Sequence, residues 1–93
     1  MTTEEIRKAV ITIADQYSIK SVVLFGSRAS GSNRDDSDVD LIIEFSKPVS
    51  VLMLSSLKNK LQDILGLDVD VVHGPIRIGD ILEIGETVEI YAK

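Results

Sequence analysis

Two carboxylates, Asp38 and Asp40, stand one residue apart at the start of an apolar run, Val39 and Leu41-Ile42-Ile43. On an extended strand both would point to one face, roughly 7 Å apart at Cα, with Val39 and Leu41 on the other. Carboxylate oxygens so placed can share one Mg2+ or hold two neighbouring ions, and without a cation they repel each other. Asp68 and Asp70 repeat the pattern further on. If those two strands are neighbours, an acid from each falls on one patch. Gly26-Ser27 directly follows another apolar run, where a glycine allows a sharp turn and a serine offers a hydroxyl and an amide donor to a phosphate. Each feature has a plainer meaning when taken alone. An Asp-x-Asp pair opening a strand more often marks solvent-facing acids that discourage edge pairing, and Gly-Ser after a strand more often marks an ordinary turn. Neither G-x-x-x-x-G-K-[ST] nor G-x-G-x-x-G is present.

The surrounding pattern supplies elements to position these residues. Thr2 and Glu5 have capping-box spacing, and Ile6, Ala9, Val10, Ile13, Ala14 and Tyr17 form one apolar stripe of a first helix, with Ile11 off it. A buried strand is expected over 21–25 and a polar loop over 26–37. A second strand follows over 38–45. Ser50 caps a helix running to about 65, with Leu54, Leu57, Leu61, Ile64 and Leu65 on its core face, Met53 at the edge and Gly66 as its C-terminal cap. A third strand is expected over 67–72, a short helix over 80–84 stopped at Gly85, and a last strand over 88–91. The fold class is thus α/β (α+β), a small mixed β-sheet with its helices largely on one face. A right-handed crossover would make the second and third strands parallel, while an antiparallel pairing stays open.

With 93 residues, a single domain over 1–93 is expected. No apolar run approaches the roughly 20 residues of a membrane span, and the N-terminus is acidic, so neither membrane insertion nor secretion is expected. The absence of cysteine rules out disulfides and thiolate chemistry and is compatible with a cytoplasmic protein. Ten basic against 15 acidic residues, a net charge of −5, argue against sequence-independent nucleic-acid binding, which draws on phosphate neutralisation. The same acids suit a divalent metal if a few converge.

Taken together, Gly26-Ser27, ten residues, Asp38, one residue and Asp40 read G-S-x(10)-D-x-D, spread over strand, loop and strand, with a third acid on a later strand. This resembles the minimal nucleotidyltransferase (MNT) branch of the polymerase-β superfamily. The flanking runs, residues 22–29, 37–42 and 67–72, agree, and the likeness extends from Ile6 to about Ile90. The resemblance implies transfer of AMP from ATP to an acceptor hydroxyl with release of pyrophosphate. It implies Gly26, Ser27 and Arg28 on the nucleotide, Asp38 and Asp40 on two Mg2+ ions, and Asp70 as the third acid, on the acceptor-side metal and the nucleophile. Many members read Gly-Ser-Arg-Ala-Arg-Gly, whereas Ser30 replaces the second arginine here, which would leave more of the phosphate contact to Arg28 or Arg34. Arg28 can equally be a salt-bridging surface residue.

Members of this branch are commonly paired with HEPN-domain toxins, and the implied reaction is adenylylation of the toxin, often on a tyrosine. Two readings follow: a Mg2+-dependent protein adenylyltransferase acting as antitoxin, or a catalytically weak module that neutralises its partner by masking it. No membrane or direct nucleic-acid contact is expected. Leu52 and Ile11, off the core stripes, are candidate partner contacts, though scattered exposed apolar side chains are normal. His73 reads first as a solvated turn residue and second as a substrate contact.

Overall fold

The Thr2 hydroxyl accepts from the Glu5 amide and opens helix α1, Thr3–Ala14, the cap that the Thr-x-x-Glu spacing predicts. Its stripe, Ile6, Ala9, Val10, Ile13 and Ala14, is buried as read, and Tyr17 beyond it is buried with its hydroxyl 2.7 Å from Ser56 Oγ. The structure is a computed structural model that describes residues 2–31, 34, 37–74 and 87–93. Strand β1, Ile19–Phe25, starts two residues earlier than the apolar run alone predicts. The segment over 26–37, read as a loop throughout, contains a one-turn helix α2, Ser27–Ser30, ended by Gly31 in the left-handed region. The Gly26 carbonyl accepts from the Ala29 and Ser30 amides and closes that turn. Strand β2, Val39–Phe45, leads to helix α3, Val51–Leu65, whose Ser50 hydroxyl accepts from the Met53 amide and whose C-terminal cap is Gly66 at φ 70°. Strand β3 covers Val69–His73 and strand β4 Val88–Ala92. The short helix read over 80–84 and its stop at Gly85 lie outside the described residues.

The four strands form one sheet in the order β3-β2-β1-β4. β1 pairs antiparallel with both β2 and β4, and β2 pairs parallel with β3, so the sheet is mixed and α3 is the crossover between the parallel strands. Val22, Leu24, Val39, Leu41, Ile43 and Val69 turn one face of the sheet toward α1 and α3 and form a single apolar cluster with them. The α3 core face is narrower than its sequence suggests. Leu57 and Leu61 are fully buried and Leu54 and Leu65 partly so, but Ile64 is 48% exposed. The helix approaches the sheet along one line of leucines, and a residue at the margin of the apolar arc is left in solvent.

Leu57 has no exposed surface, whereas Leu52 on the same helix is 82% exposed. Leu57→Ala is expected to cost about 2–5 kcal/mol through lost burial and a cavity. Leu52→Ala should stay within about 0.5 kcal/mol of the parent. Urea unfolding of the two variants side by side checks the difference.

Candidate active site

The parallel pairing of β2 with β3 sets Val39 against Val69 and Asp40 against Asp70. Because strand side chains alternate, the two valines go into the core and the two aspartates to the opposite face. Asp40 is half-buried, and its carboxyl is pushed above the ordinary carboxylate value. Burial is the largest cause, followed by the charge of Asp70, a side-chain hydrogen bond with Asp70 and the charge of Asp38. Asp70 and Asp38 are exposed. Asp68 precedes β3; its side chain is exposed and its carbonyl accepts from the Val39 amide at 2.9 Å. Strand register therefore brings Asp70, and not Asp68, to Asp40.

Gly26 lies directly against this pair. Its backbone, at φ 77° and ψ −155°, occupies a region that is essentially closed to residues with a side chain. Its conformation therefore calls for glycine, and a Cβ placed there would meet Asp40 Oδ2 at 2.4 Å, so a side chain would also make the carboxylate move. The turn that starts at Gly26 carries Ser27, half-buried, to the same end of the sheet. Arg28 donates from Nε and Nη2 to the Ser37 carbonyl at 3.1 and 2.8 Å. The Ser30 hydroxyl folds back onto the Ser27 carbonyl at 3.1 Å. Arg34 is exposed, and its amide donates to Ser37 Oγ at 2.7 Å.

Two supporting residues were not legible in the sequence. Ser37 accepts the Arg28 fork on its carbonyl and the Arg34 amide on its hydroxyl, and it donates its own amide to the Arg34 carbonyl at 3.1 Å. Only its type, a serine closing a polar turn before a strand, hints at this. Gln62 Oε1, on α3, accepts from the Val69 amide at 3.1 Å and holds the start of β3 beside Asp70. No spacing in the sequence announces that contact. His73 ends β3, its ring stacked on Phe45 with centroids 5.6 Å apart. It stands three residues, roughly 10 Å of strand, from Asp70.

The donors at the acid pair are all carboxylate oxygens, which suit a hard dication such as Mg2+ better than a softer metal. Burial and the neighbouring acids, which together raise Asp40, disfavour its charged form, and such an ion would offset that. Among the described residues no three His, Cys, Asp or Glu side chains already stand together as a metal cage. The residues thus fit a metal that completes its shell with other oxygen ligands.

Sequence comparison agrees with this geometry. Residues 8–89 match the Polymerase beta, Nucleotidyltransferase family. The chain is 38% identical over 69 residues to the protein MJ1217 of Methanocaldococcus jannaschii, assigned by name as a protein adenylyltransferase, covering 74% of this chain and 70% of that one. It is 32% identical over 76 residues to Protein adenylyltransferase MntA of Thermococcus cleftensis, covering 77% of each. Among solved structures, a minimal nucleotidyltransferase superposes with a TM-score of 0.71 at 32% identity over 95% of both chains. A chain from the complex of a tri-AMPylated Shewanella oneidensis HEPN toxin with its MNT antitoxin gives 0.70 at 16% identity, over 99% of this chain and 74% of that one. That last likeness is one of fold. The chain belongs to the polymerase-β nucleotidyltransferase family and is a nucleotidyltransferase.

Two outcomes test the site without substrate. Gly26→Ala should cost about 1–3 kcal/mol of backbone strain, and the added clash should make its effect non-additive with Asp40→Ala by at least about 0.5 kcal/mol in a double-mutant cycle. Asp40 has a folded pKa above its unfolded value, so the folded state binds more protons. Its contribution to stability is complete below the unfolded value and is lost as pH rises through the folded one. Metal-free Asp40→Asn should therefore gain stability relative to the parent at pH 7, and the gain should shrink toward pH 3. Chemical denaturation at the two pH values measures it.

Proposed function

We propose that this chain transfers AMP from ATP to a tyrosine hydroxyl of a HEPN-domain toxin and so acts as its antitoxin. The observation that carries this reading is the register that sets Asp40 opposite Asp70 with Gly26 packed against Asp40. Gly26 and Ser27 receive the triphosphate, the glycine by leaving room and the serine through its hydroxyl and amide. Asp38, Asp40 and Asp70 hold Mg2+, which when bound offsets the triphosphate charge and activates the reacting oxygens. Asp70, exposed at the edge strand of the sheet, faces the side from which an acceptor can approach. The acceptor oxygen attacks the α-phosphorus, the bond from that phosphorus to the bridging oxygen breaks, and pyrophosphate leaves with the electron pair. The hydroxyl proton passes to a carboxylate oxygen of Asp70.

A protein acceptor and a HEPN-type partner are supported by relatives named as protein adenylyltransferases and by the fold shared with a chain of the AMPylated HEPN toxin–MNT antitoxin complex. The acidic balance of the chain, a net charge of −5, would also complement a basic partner surface.

The deciding assay combines this protein, Mg2+, the product of the adjacent gene and ATP labelled at the α- or γ-phosphate. Label is expected on the partner from the α position only. It should fall to background in the Asp38→Ala, Asp40→Ala double variant and by at least about a hundredfold in Asp70→Asn, whose amide cannot accept the proton. A stable complex that silences the partner with no label from either position would replace the enzyme reading with masking.

A further inference from the structure

Asp38 sits between two tethered neighbours. On one side the Val39 amide donates to the Asp68 carbonyl at 2.9 Å, the first rung between β2 and the β3 side of the sheet. On the other side Ser37 has its amide and hydroxyl engaged with Arg34, and its carbonyl receives two N–H groups from one guanidinium, that of Arg28. A planar guanidinium can set two donors on a single oxygen with a fixed direction, which an ammonium on a flexible stem cannot do. Arg28 in turn rides on α2, the one-turn helix that begins at Gly26, and Gly26 is packed against Asp40. One turn of helix thus leaves space for one acid and grips the backbone beside the other. Half-buried Arg28 spends this fork on a peptide carbonyl of its own chain.

We infer that Arg28 is a positioning residue: by clamping the Ser37 carbonyl it sets where Asp38 stands relative to Asp40 and Asp70, and its contribution to the reaction comes through Asp38 and not through contact with the phosphates. The inference rests on the functional reading above, and its consequence is specific. Geometry, not positive charge, is what Arg28 supplies, so lysine cannot replace it. A phosphate contact would have the opposite signature, because a lysine at this position keeps the charge.

The test uses the full chain with Arg28→Lys and Arg28→Ala. In metal-free, nucleotide-free protein, NMR hydrogen exchange at the Ser37 amide should accelerate by at least about tenfold in both variants, while buried amides of Val22 and Ile43 keep their protection and report an intact sheet. In the labelled-ATP assay both variants should lose about 10–100-fold in kcat and need more free Mg2+ for half-maximal rate, as is usual when support for a metal ligand is removed. The KM for ATP should stay within about threefold of the parent. Arg28→Lys with parental turnover and parental Ser37 protection would overturn the inference, as would Arg28→Ala with a raised ATP KM and unchanged kcat. If the parent itself transfers no label, the functional reading fails separately. The exchange arm then decides alone, and unaltered Ser37 protection in both variants sinks the clamp.

Discussion

Two aspartates facing each other across a parallel strand pair are the constraint around which the described structure is arranged. Asp40 and Asp70 are brought side by side by the β2–β3 register, and half-burial of Asp40 weakens the solvent screening that would separate their charges. A stability-driven sequence would not assemble such a pair. It persists because the apolar residues on the reverse face, Val39, Leu41 and Val69, fix the register through burial, and a one-residue slip would expose all of them. The core on one face therefore holds the repulsion on the other.

The accessory elements read as consequences of that pair. Gly26 lacks a side chain where Asp40 Oδ2 occupies the space, and its positive φ turns the chain into α2 at the end of β1. Gln62 reaches from α3 to the first amide of β3 next to Asp70, and the carbonyl of Asp68 receives the first amide of β2. The crossover helix thus does more than connect parallel strands: its buried leucines press it onto the sheet, and a polar side chain near its end pins the edge strand that carries one of the acids. Among the described residues the same helices and strands serve both packing and the site.

Membership of the polymerase-β nucleotidyltransferase family gives this arrangement its chemical meaning. A reaction at phosphorus needs negative charge gathered and neutralised, and a carboxylate pair that is unfavourable in the bare protein is suited to bind a dication strongly. The Asp70 side lies on an edge strand, and the acceptor in the proposed reaction approaches there from another protein. At Ser30 the hydroxyl turns back onto the Ser27 carbonyl of its own helical turn.

Much of this was legible from local pattern. The α1 stripe, both helix N-caps, the Gly66 cap and the alternation that puts Val39 in the core and Asp40 on the other face follow from side-chain periodicity and from backbone groups satisfied within three or four residues. The motif itself, Gly26-Ser27 with Asp38 and Asp40, is likewise a matter of spacing. What lay beyond the sequence depended on contacts between residues far apart in the chain. Parallel or antiparallel pairing of β2 with β3 was open until the strands met; alternation alone fits Asp68 and Asp70 equally, the family resemblance pointed to Asp70, and the register sets Asp70 opposite Asp40. Ile64 matched the helical period, yet the helix meets the sheet along the line of Leu57 and Leu61 and leaves Ile64, at the margin of the apolar arc, in solvent. The role of Arg28 is of the same kind: a guanidinium looks identical in sequence whether it meets a phosphate or a peptide carbonyl nine residues away, and only the folded path of the chain brings Ser37 to it.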